Sequence, residues 1–459
     1  IKADIHDENI VYVVLDNHKE GDFNPYLFKS EDQGNSWVPI SKDLPKRTLL
    51  WRIVQDHINK NLFFLATEFG VYTSLNGCKN WQKLNGTPNM GFRDLVIQKR
   101  ESDLVAASFG RGFYVLDDYS PLRNFSNENL KKKGHLFPIK DGKWFIQRSN
   151  LGNTGADFYL AENPKYGVTM TYHLGNNYET KSEKRKKSEK RLNQNLLDVP
   201  FPGYNNLDEE KNETPAYIKI SIEDQEGNII RHLKERAAKG THRITWDLRH
   251  MFKGSVTDSN KKYNLRGPIV KPGKYSASLY LVENGETTKL SEKKTFELKP
   301  IYESILKGTS FKDYNNYVDD YFRVYNDVQL IEHKIKTANE KVNSLKIAIE
   351  NTPKETDELV LDFHNLKNSL LLVKRKVFGN ESKTEIGEKN TPTLFNRIRV
   401  ASQGLSSSYG PTKLHMESLD MARLMNEEIK PLIKNLITKE VTSLENKIKD
   451  INGPVIIED

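Results

Sequence analysis

Cysteine is nearly absent from the sequence, since Cys78 is the single thiol among 459 residues. A lone cysteine excludes an internal disulfide and a thiol-rich metal site. The 11 histidines form no HxH or HExxH spacing, and the Gly-x-Ser-x-Gly and phosphate-loop patterns are missing as well. We therefore expect no catalytic residues of a recognised type, no metal site and no cofactor.

Long apolar runs are also missing. No stretch approaches the roughly 18 apolar residues that a membrane-spanning helix needs, and the mean hydropathy is −0.69. We therefore expect no transmembrane segment. The first residue is Ile1, no signal-peptide pattern follows it, and the first residues already resemble part of a repeat unit. We expect the chain to be a fragment of a longer polypeptide.

The excess of positive charge is modest. The formal net charge is +8, and residues 181–191, KSEKRKKSEKR, contribute much of it. Such a run can meet an anionic partner such as nucleic acid, lipid headgroups or an acidic glycan. It is more often the solvated face of a helix or a loop. No aromatic–basic motif accompanies the run, so we expect no nucleic-acid partner.

A turn motif at residues 30–37, SEDQGNSW, is the most informative feature that is present. Asp32, with Ser30 beside it, can accept hydrogen bonds from the N–H groups of its own loop. Gly34 can take a positive φ without strain. Trp37 is expected to bury its indole against a neighbouring sheet. The pattern resembles the Asp-box of β-propeller blades.

A degenerate copy of the motif occupies residues 74–81, SLNGCKNW. Asn76 stands where the first copy has aspartate, and Cys78 stands where it has glycine. The tryptophan is kept as Trp81, 44 positions after Trp37, which is close to the length of one four-stranded blade. We expect two successive blades, the second with a relaxed turn and an intact core.

The patterns of strands and helices predict a multidomain β plus α chain. Residues 1–118 carry short strands between turn residues and predict about two and a half blades, the last of a β-propeller that cannot close alone. Residues 119–166, with proline and glycine throughout, predict a connector. Residues 167–300 predict an immunoglobulin-like β-sandwich that a charged insert, 178–214, interrupts. Residues 311–450 predict an antiparallel helical bundle or coiled-coil hairpin.

Local patterns support the last two regions. GTHRITWD at 240–247, followed by KPGKY at 271–275, resembles the Ig-like domain of flagellar hook-cap proteins, with Trp246 in its core. Apolar residues recur in steps of four and three over 317–349, which is a heptad pattern. Pro431 is expected to kink the last helix.

The order of these parts resembles a known family. TEFGVY at 67–72, FGRGFYVLDD at 109–118, the basic insert, the sandwich and the helical tail are similar to the C-terminal half of large bacterial sortilin-like proteins with BNR Asp-box repeats. The resemblance covers essentially the whole chain. It implies an extracytoplasmic location, in the periplasm, at the outer membrane or secreted. It also implies a peptide, protein or glycan ligand, with the missing N-terminal propeller blades of the same polypeptide as a further partner.

Four residues are candidates for the ligand-binding face. Arg52, Glu68, Arg93 and Arg111 lie at strand starts or in turns of adjacent blades, and we expect them on one face. Our leading hypothesis is a non-enzymatic binding and scaffolding protein within an envelope assembly. The alternative is a sialidase-like glycoside hydrolase, in which arginines hold a carboxylate and Glu68 or Asp94 is the acid.

Overall fold

The computed structural model describes residues 1–147, 161–256, 266–302, 305–353 and 357–456. Residues 148–160, within the expected connector, lie outside the described residues. The described chain has small β-sheets in its earlier part and long helices in its later part, which confirms a mixed β plus α architecture. None of the helices in these ranges is both long enough and apolar enough to cross a membrane.

Three small antiparallel sheets, which we number I to III, fill residues 1–118. Their strands are β1 (Lys2–Ala3), β2 (Val11–Asn17), β3 (Asp22–Ser30), β4 (Val38–Pro39), β5 (Leu50–Gln55), β6 (Phe63–Thr67), β7 (Gly70–Ser74), β8 (Gln82–Lys83), β9 (Phe92–Gln98), β10 (Asp103–Ser108) and β11 (Phe113–Leu116). Sheet I has the order β1-β2-β3-β4, sheet II β5-β6-β7-β8, and sheet III β11-β10-β9. Neighbours in each sheet are therefore consecutive in sequence.

Sheet II is the middle layer of a stack. In β6, Phe63 and Leu65 join the core shared with sheet I, whereas Phe64 and Ala66 join the core shared with sheet III. Successive side chains of a strand point to opposite faces, so an uninterrupted apolar strand is typical of a sheet covered on both sides. The sequence FFLA explains why sheet II lies between the other two.

The first turn motif forms the expected hydrogen-bond network. Asp32 Oδ1 accepts from the Ser30 hydroxyl at 2.7 Å and from the Ser36 N–H at 2.8 Å. Gly34 has a φ of +95°. Hydrogen bonds from Ser36, and next from Ser30, lower the pKa of Asp32 to about 2. The turn is therefore closed around an ionised carboxylate at neutral pH.

The second motif keeps the same network with an amide as acceptor. Asn76 Oδ1 accepts from the Ser74 hydroxyl at 3.1 Å and from the Asn80 N–H at 3.0 Å. Cys78 takes the place of the glycine with a φ of +67°, and its thiol is free and buried. The shape of the turn therefore survives the loss of the aspartate and the glycine.

The two tryptophans differ, and the expectation of a buried Trp37 is wrong. Trp81 is 6% exposed, and its indole N–H donates to the carbonyl of Ile40, beside sheet I, at 2.9 Å. Trp37 is 40% exposed, and its indole N–H donates to Gly34 of its own turn at 3.0 Å. Sheet I is the first layer of the described stack, so no described sheet lies on the outer side of Trp37 as sheet I does for Trp81.

Two further sheets enclose one apolar core between residues 134 and 300. Their strands are β12 (Gly134–Leu136), β13 (Gly142–Trp144), β14 (Val168–Leu174), β15 (Tyr217–Asp224), β16 (Ile229–Arg236), β17 (Gly240–Trp246), β18 (Gly273–Glu283), β19 (Glu286–Lys289) and β20 (Lys294–Pro300). One sheet has the order β12-β14-β17, and the other has the order β13-β20-β18-β15-β16, with β19 beside β18. The pair β13 and β20 is parallel.

Trp246 lies inside this core, as the sequence predicts. Its ring centre is 5.3 Å from that of Tyr275 and 6.2 Å from that of Phe296, both on the opposite sheet. The segment expected as a connector, 119–166, contributes a short helix, α1 (Asn127–Lys131), and then β12 and β13. These strands belong to the core because Leu136 and Trp144 are buried in it.

The charged insert, 178–214, forms two helices, α2 (Lys181–Gln194) and α3 (Tyr204–Asn212). The first begins at a capping box, in which the Thr180 side chain accepts from the Glu183 N–H and the Glu183 carboxylate accepts from the Thr180 N–H. Neither helix has a buried residue. The basic run is therefore a solvated helix.

Six further helices follow within the described residues, and all of them except α6 contribute side chains to one shared apolar core. They are α4 (Phe311–Glu350), α5 (Asp357–Phe378), α6 (Glu381–Glu385), α7 (Leu394–Gln403), α8 (Lys413–Asn435) and α9 (Thr442–Asp450). The heptad positions of 317–349 are buried in this core, which confirms the pattern read from the sequence. The helix α8 continues through Pro431, and a π-helical turn, Leu436–Val441, joins it to α9.

Candidate functional site

Arg93 lies between two aromatic rings at one edge of sheets II and III. Its guanidinium carbon is 3.6 Å from the centre of the Trp51 ring and 4.9 Å from the centre of the Phe109 ring. These residues meet because β5 and β9 begin at this edge and β10 ends at it. We call Trp51, Arg52, Arg93, Asp94 and Phe109 the arginine–aromatic cluster.

Both rings lie within cation–π distance of the Arg93 guanidinium. A cation over one aromatic face gains about 0.5–2 kcal/mol, and here two faces contribute. All five N–H donors of arginine lie in the guanidinium plane, so stacking on its faces leaves the edge available for hydrogen bonds. Arg93 is exposed, and Phe109 is 72% exposed. The cluster therefore presents donors and an apolar ring to solvent at one place.

A charge pair joins the first strands of sheets II and III beside this stack. Arg52 Nε lies 3.3 Å from Asp94 Oδ1, and both side chains are exposed. An exposed pair contributes at most about 1 kcal/mol, so its main effect is to align the two strands. The contact places Arg52 and Arg93 at neighbouring points of the same edge.

Sheet I contributes a histidine and an aspartate to the same edge. The ring centres of His18 and Trp51 are 6.2 Å apart, and His18 Nδ1 is 2.6 Å from Asp16 Oδ1. Burial raises the pKa of Asp16, but the hydrogen bonds from His18 and the charge of Arg93 outweigh it and hold that pKa below its usual range. All three stacked sheets therefore meet at this edge.

Glu68 and Arg111 lie in turns at this edge. The Glu68 carboxylate rests against Gly91, where an added Cβ would lie 3.6 Å from its Oε1 atom. The Arg111 side chain is exposed and forms no ion pair within the described part of the chain. The structure thus brings Arg52 and Arg93 together, with Glu68 beside the residues that precede β9, and Arg111 stays a candidate in the turn between β10 and β11.

The sequence did not reveal the aromatic part of the cluster. Trp51 precedes Arg52 directly, which is the only local signal that an indole accompanies these arginines. Trp51 and Phe109 are separated by a long stretch of chain. Their shared contact with Arg93 depends on how sheets II and III stack, which no local pattern states.

The chemistry of the cluster suits a ligand with an anionic group and an apolar face. Guanidinium edges bind carboxylates through paired N–H donors, and exposed rings accept sugar rings or apolar side chains. Within the described ranges, no group of three or more His, Cys, Asp or Glu side chains is placed to hold a metal ion.

No family model and no curated protein matches the chain. Among solved structures, an ancestral GH74 enzyme is similar at 13% identity and a TM-score of 0.21, over 63% of this chain and 34% of that one. The BSP domain of a biofilm-associated protein is similar at 7% identity and a TM-score of 0.15, over 65% of this chain and 31% of that one. The chain therefore spans about a third of the length of either structure.

Proposed function

We propose that this chain carries blades of a β-propeller in an extracytoplasmic binding and scaffolding protein of the bacterial sortilin-like type. We place the ligand at the arginine–aromatic cluster. The observation that carries this proposal is the Arg93 guanidinium between Trp51 and Phe109. A cation fixed in this way meets a ligand without having to be ordered first, which lowers the cost of binding.

The stack of sheets I to III supports the propeller. Sheet I packs on sheet II, and sheet II on sheet III, through apolar layers. Propellers repeat small antiparallel sheets around a central channel in this face-to-face manner. The two Ser-containing turns recur at the ends of β3 and β7, the edge opposite to the cluster. In a propeller built this way, the ligand face would lie at one rim and the two turn motifs would lie at the other.

The ligand class follows from the donors at the cluster. A carboxylate of a peptide terminus, an acidic side chain or an acidic sugar can pair with two N–H groups of Arg93. The exposed Phe109 ring can pack against the apolar part of the same ligand. An ammonium group lacks the planar fork of donors, so lysine would not replace Arg93.

The two-sheet region around Trp246 and the helical region would place the ligand face within an assembly. The two-sheet core around Trp246 supports an immunoglobulin-like sandwich. The long apolar stripe of α4, buried by the other helices, supports a bundle. In this proposal both units hold the ligand face relative to an envelope partner and to further propeller blades.

An array of sialosides, uronic-acid glycans and peptides with free carboxyl termini tests the ligand face. A charge-assisted hydrogen bond is worth about 1.5–3 kcal/mol, so Arg93→Lys should weaken binding of an array hit by about tenfold or more. Arg100→Lys changes another exposed arginine, beyond the other end of β9, and should leave affinity unchanged. Equal affinity of Arg93→Lys and the wild type would remove the cluster from the binding site.

Turnover assays on the same glycans decide between binding and hydrolysis. A sialidase-like hydrolase needs an acidic proton donor at the scissile bond, and Glu68 and Asp94 are the candidates at this edge. Hydrolysis that disappears in Glu68→Gln or in Asp94→Asn would favour the glycoside hydrolase. Binding that depends on Arg93 without any turnover would favour the scaffold.

A further inference from the structure

The hairpin of α2 and α3 ends in a fully exposed tip. The residues from 193 to 201 are all exposed. Five large apolar side chains of the tip and of the start of α3 are exposed. They are Leu196, Leu197, Val199, Phe201 and Tyr204.

An apolar tip of this kind needs an explanation. Leu196 is 94% exposed and Phe201 is 64% exposed. Single exposed apolar residues are ordinary, but a contiguous group marks an interaction site. Leu196 also has a φ of +54°, in the left-handed region that side chains other than Gly and Asn rarely adopt. This left-handed residue ends α2, with the Leu197 N–H donating to the Leu192 carbonyl at 3.0 Å.

Charges divide the hairpin into two sides. Lys181 Nζ lies 2.6 Å from Glu209 on α3, and Arg185 Nε lies 2.7 Å from Glu210. These two cations are four positions apart and share one face of α2. That face is neutralised because it packs on the acidic helix α3.

The outward side of α2 keeps its positive charge. Lys184, Lys186, Lys190 and Arg191 are exposed, and none of them forms an ion pair with a residue that the structure describes. At 100° per residue, Lys186, Lys190 and Arg191 fall on the half of the helix away from Lys181 and Arg185, and Lys184 lies at the border between the two halves. Arg191 lies in the last turn of α2, which leads into the apolar tip, and Lys190 directly precedes it.

We propose that this hairpin attaches the protein reversibly to an anionic lipid bilayer. The apolar tip enters the interface between headgroups and acyl chains, and the four outward cations contact the anionic headgroups. A basic surface beside exposed Leu and Phe is the composition of interfacial membrane anchors. The proposal is independent of the ligand at the arginine–aromatic cluster.

A bilayer explains both features, whereas nucleic acid explains one. Lys and Arg would contact phosphates, but aliphatic side chains such as Leu196, Leu197 and Val199 have no face on which a base can stack. In a bilayer the same side chains leave water, and each buried methylene adds to the affinity. The apolar tip and the outward cations then contribute to the same binding event.

One residue of the tip opposes binding to an anionic surface. Asp198 is the only charged residue between Arg191 and Asp208, and it is exposed. A carboxylate carried to an anionic surface is repelled, so the wild-type tip should bind moderately and reversibly. Asp198→Asn removes that repulsion and should strengthen binding about fivefold, since one charge at such a surface is worth about 1 kcal/mol.

Co-sedimentation of the full chain with vesicles tests the proposal. The probe is a phosphatidylcholine vesicle with about 30% phosphatidylglycerol, compared with pure phosphatidylcholine at low and at about physiological salt. We expect binding to the anionic vesicle, at least tenfold weaker binding to the neutral one, and weakening by salt. Equal partition to both vesicles, or none to the anionic vesicle, would overturn the proposal.

Two double substitutions test the apolar tip and the outward cations separately. The combination Leu196→Ser with Phe201→Ser and the combination Lys186→Ser with Lys190→Ser should each weaken binding about tenfold or more. Ile305→Ser with Leu306→Ser removes exposed apolar residues elsewhere, and Lys42→Ser with Lys46→Ser removes exposed cations elsewhere. Both controls should bind as the wild type does.

A competing partner would give a different pattern. If short duplex DNA binds the full chain and displaces it from vesicles, with affinity that depends on Lys186 and Lys190 but not on Leu196 and Phe201, the bilayer is the wrong partner. Because the hairpin has no buried residue, these substitutions should leave the unfolding transition unchanged, which circular dichroism can verify.

Discussion

Asp56 is a buried carboxylate whose neighbours satisfy it completely. It accepts hydrogen bonds from the Tyr119 hydroxyl at 2.6 Å, from two nitrogens of Arg123 at 2.9 and 2.8 Å, and from the Asn59 N–H at 2.6 Å. Burial raises the pKa of Asp56, but these bonds, led by Arg123, outweigh it and lower the pKa to about 2. The carboxylate ties the segment after β11 to sheet II.

Replacement of Asp56 should therefore destabilise the stacked sheets. In Asp56→Asn the largely buried Arg123 loses its counter-charge, and removal of one partner of a buried ion pair costs about 3 kcal/mol. Urea unfolding at neutral pH measures the loss. Asp450→Asn, at the exposed end of α9, should leave the midpoint unchanged. A midpoint of Asp56→Asn equal to that of the wild type would show that the pair is not a structural tie.

His250 is a buried imidazole next to the helical core. Its Nε2 atom has no hydrogen-bond partner in the described part of the chain. Burial lowers the pKa of His250 from 6.5 to about 4, and the nearby Lys253 acts in the same direction. The imidazole is therefore neutral in the folded state at neutral pH.

Stability should fall on acidification through this residue. Below pH 6.5 the unfolded chain binds a proton at His250 and the folded chain does not until about pH 4. The free energy of unfolding therefore decreases across that window, by up to about 3 kcal/mol from this group. In His250→Gln the decrease between about pH 7 and about pH 4.5 should be smaller by roughly that amount. The exposed His333→Gln should keep the wild-type pH dependence, and a decrease in His250→Gln as large as in the wild type would contradict the assignment.

At the scale of elements, the two turn motifs carry equivalent residues into different surroundings. Trp81 packs between sheets I and II and bonds to Ile40, whereas Trp37 folds back onto its own turn. The hydrogen-bond networks of the two turns are alike, since Ser74 and Asn76 repeat the contacts of the first motif. The difference therefore comes from the neighbouring layer and not from the turn.

This contrast gives a paired prediction. Trp81→Ala removes a large buried side chain and should lower the free energy of unfolding by about 3–5 kcal/mol. Trp37→Ala removes a partly exposed one and should cost about 1 kcal/mol or less. Guanidinium unfolding of the two variants makes the comparison. Similar losses in both would mean that Trp37 is buried in solution, by a second copy or another part of the protein.

Elements were predicted well where one pattern determines them. The heptad spacing over 317–349 predicts a helix, and the short runs between turn residues before residue 118 predict strands; α4 and β6 are examples of each that the structure contains. The expected connector was harder, because β12 and β13 are only three residues long and pair with strands far along the chain. Three-residue strands are too short to show an alternating pattern, so the prolines and glycines of this segment predict a connector instead.

At the scale of the whole molecule, Tyr314 joins the helical region to the sandwich. Its hydroxyl is buried and lies 2.7 Å from the carbonyl of Ile269 and 3.2 Å from that of Leu405. Lys271 crosses the same boundary, since its ammonium donates to the carbonyl of Ser408 at 3.2 Å and lies 5.1 Å from the Tyr314 ring centre. The two regions therefore share a buried polar joint.

Loss of this joint should uncouple the two regions. Tyr314→Phe leaves carbonyl groups without their donor, at a cost of about 1–3 kcal/mol. We expect a lower thermal midpoint and a broader or split calorimetric transition. Tyr325→Phe, on the same helix with a partly buried ring, is the control and should keep the wild-type profile. A single unchanged transition in Tyr314→Phe would show that the coupling lies elsewhere.

Part of the candidate site can be predicted from the sequence and part of it cannot. The starts of β5 and β9 predict that Arg52 and Arg93 share a face, and they lie at one edge, where Asp94 of β9 pairs with Arg52. Arg111 lies in the exposed turn between β10 and β11, and its place on the ligand face stays a prediction. Side-chain direction in an exposed turn depends on contacts that the sequence does not state, whereas the start of a strand is set by the sheet.

The sequence by itself determined the local structures of this protein, because turn chemistry, two-residue alternation and heptad spacing act between near neighbours. Asp32 closes its turn and the stripe of α4 is apolar whatever surrounds them. Only the tertiary structure decided that Trp81 is covered and Trp37 is not, and that Arg93 lies between Trp51 and Phe109. Both outcomes depend on which sheets are adjacent, because a side chain is buried only where a neighbouring sheet covers it.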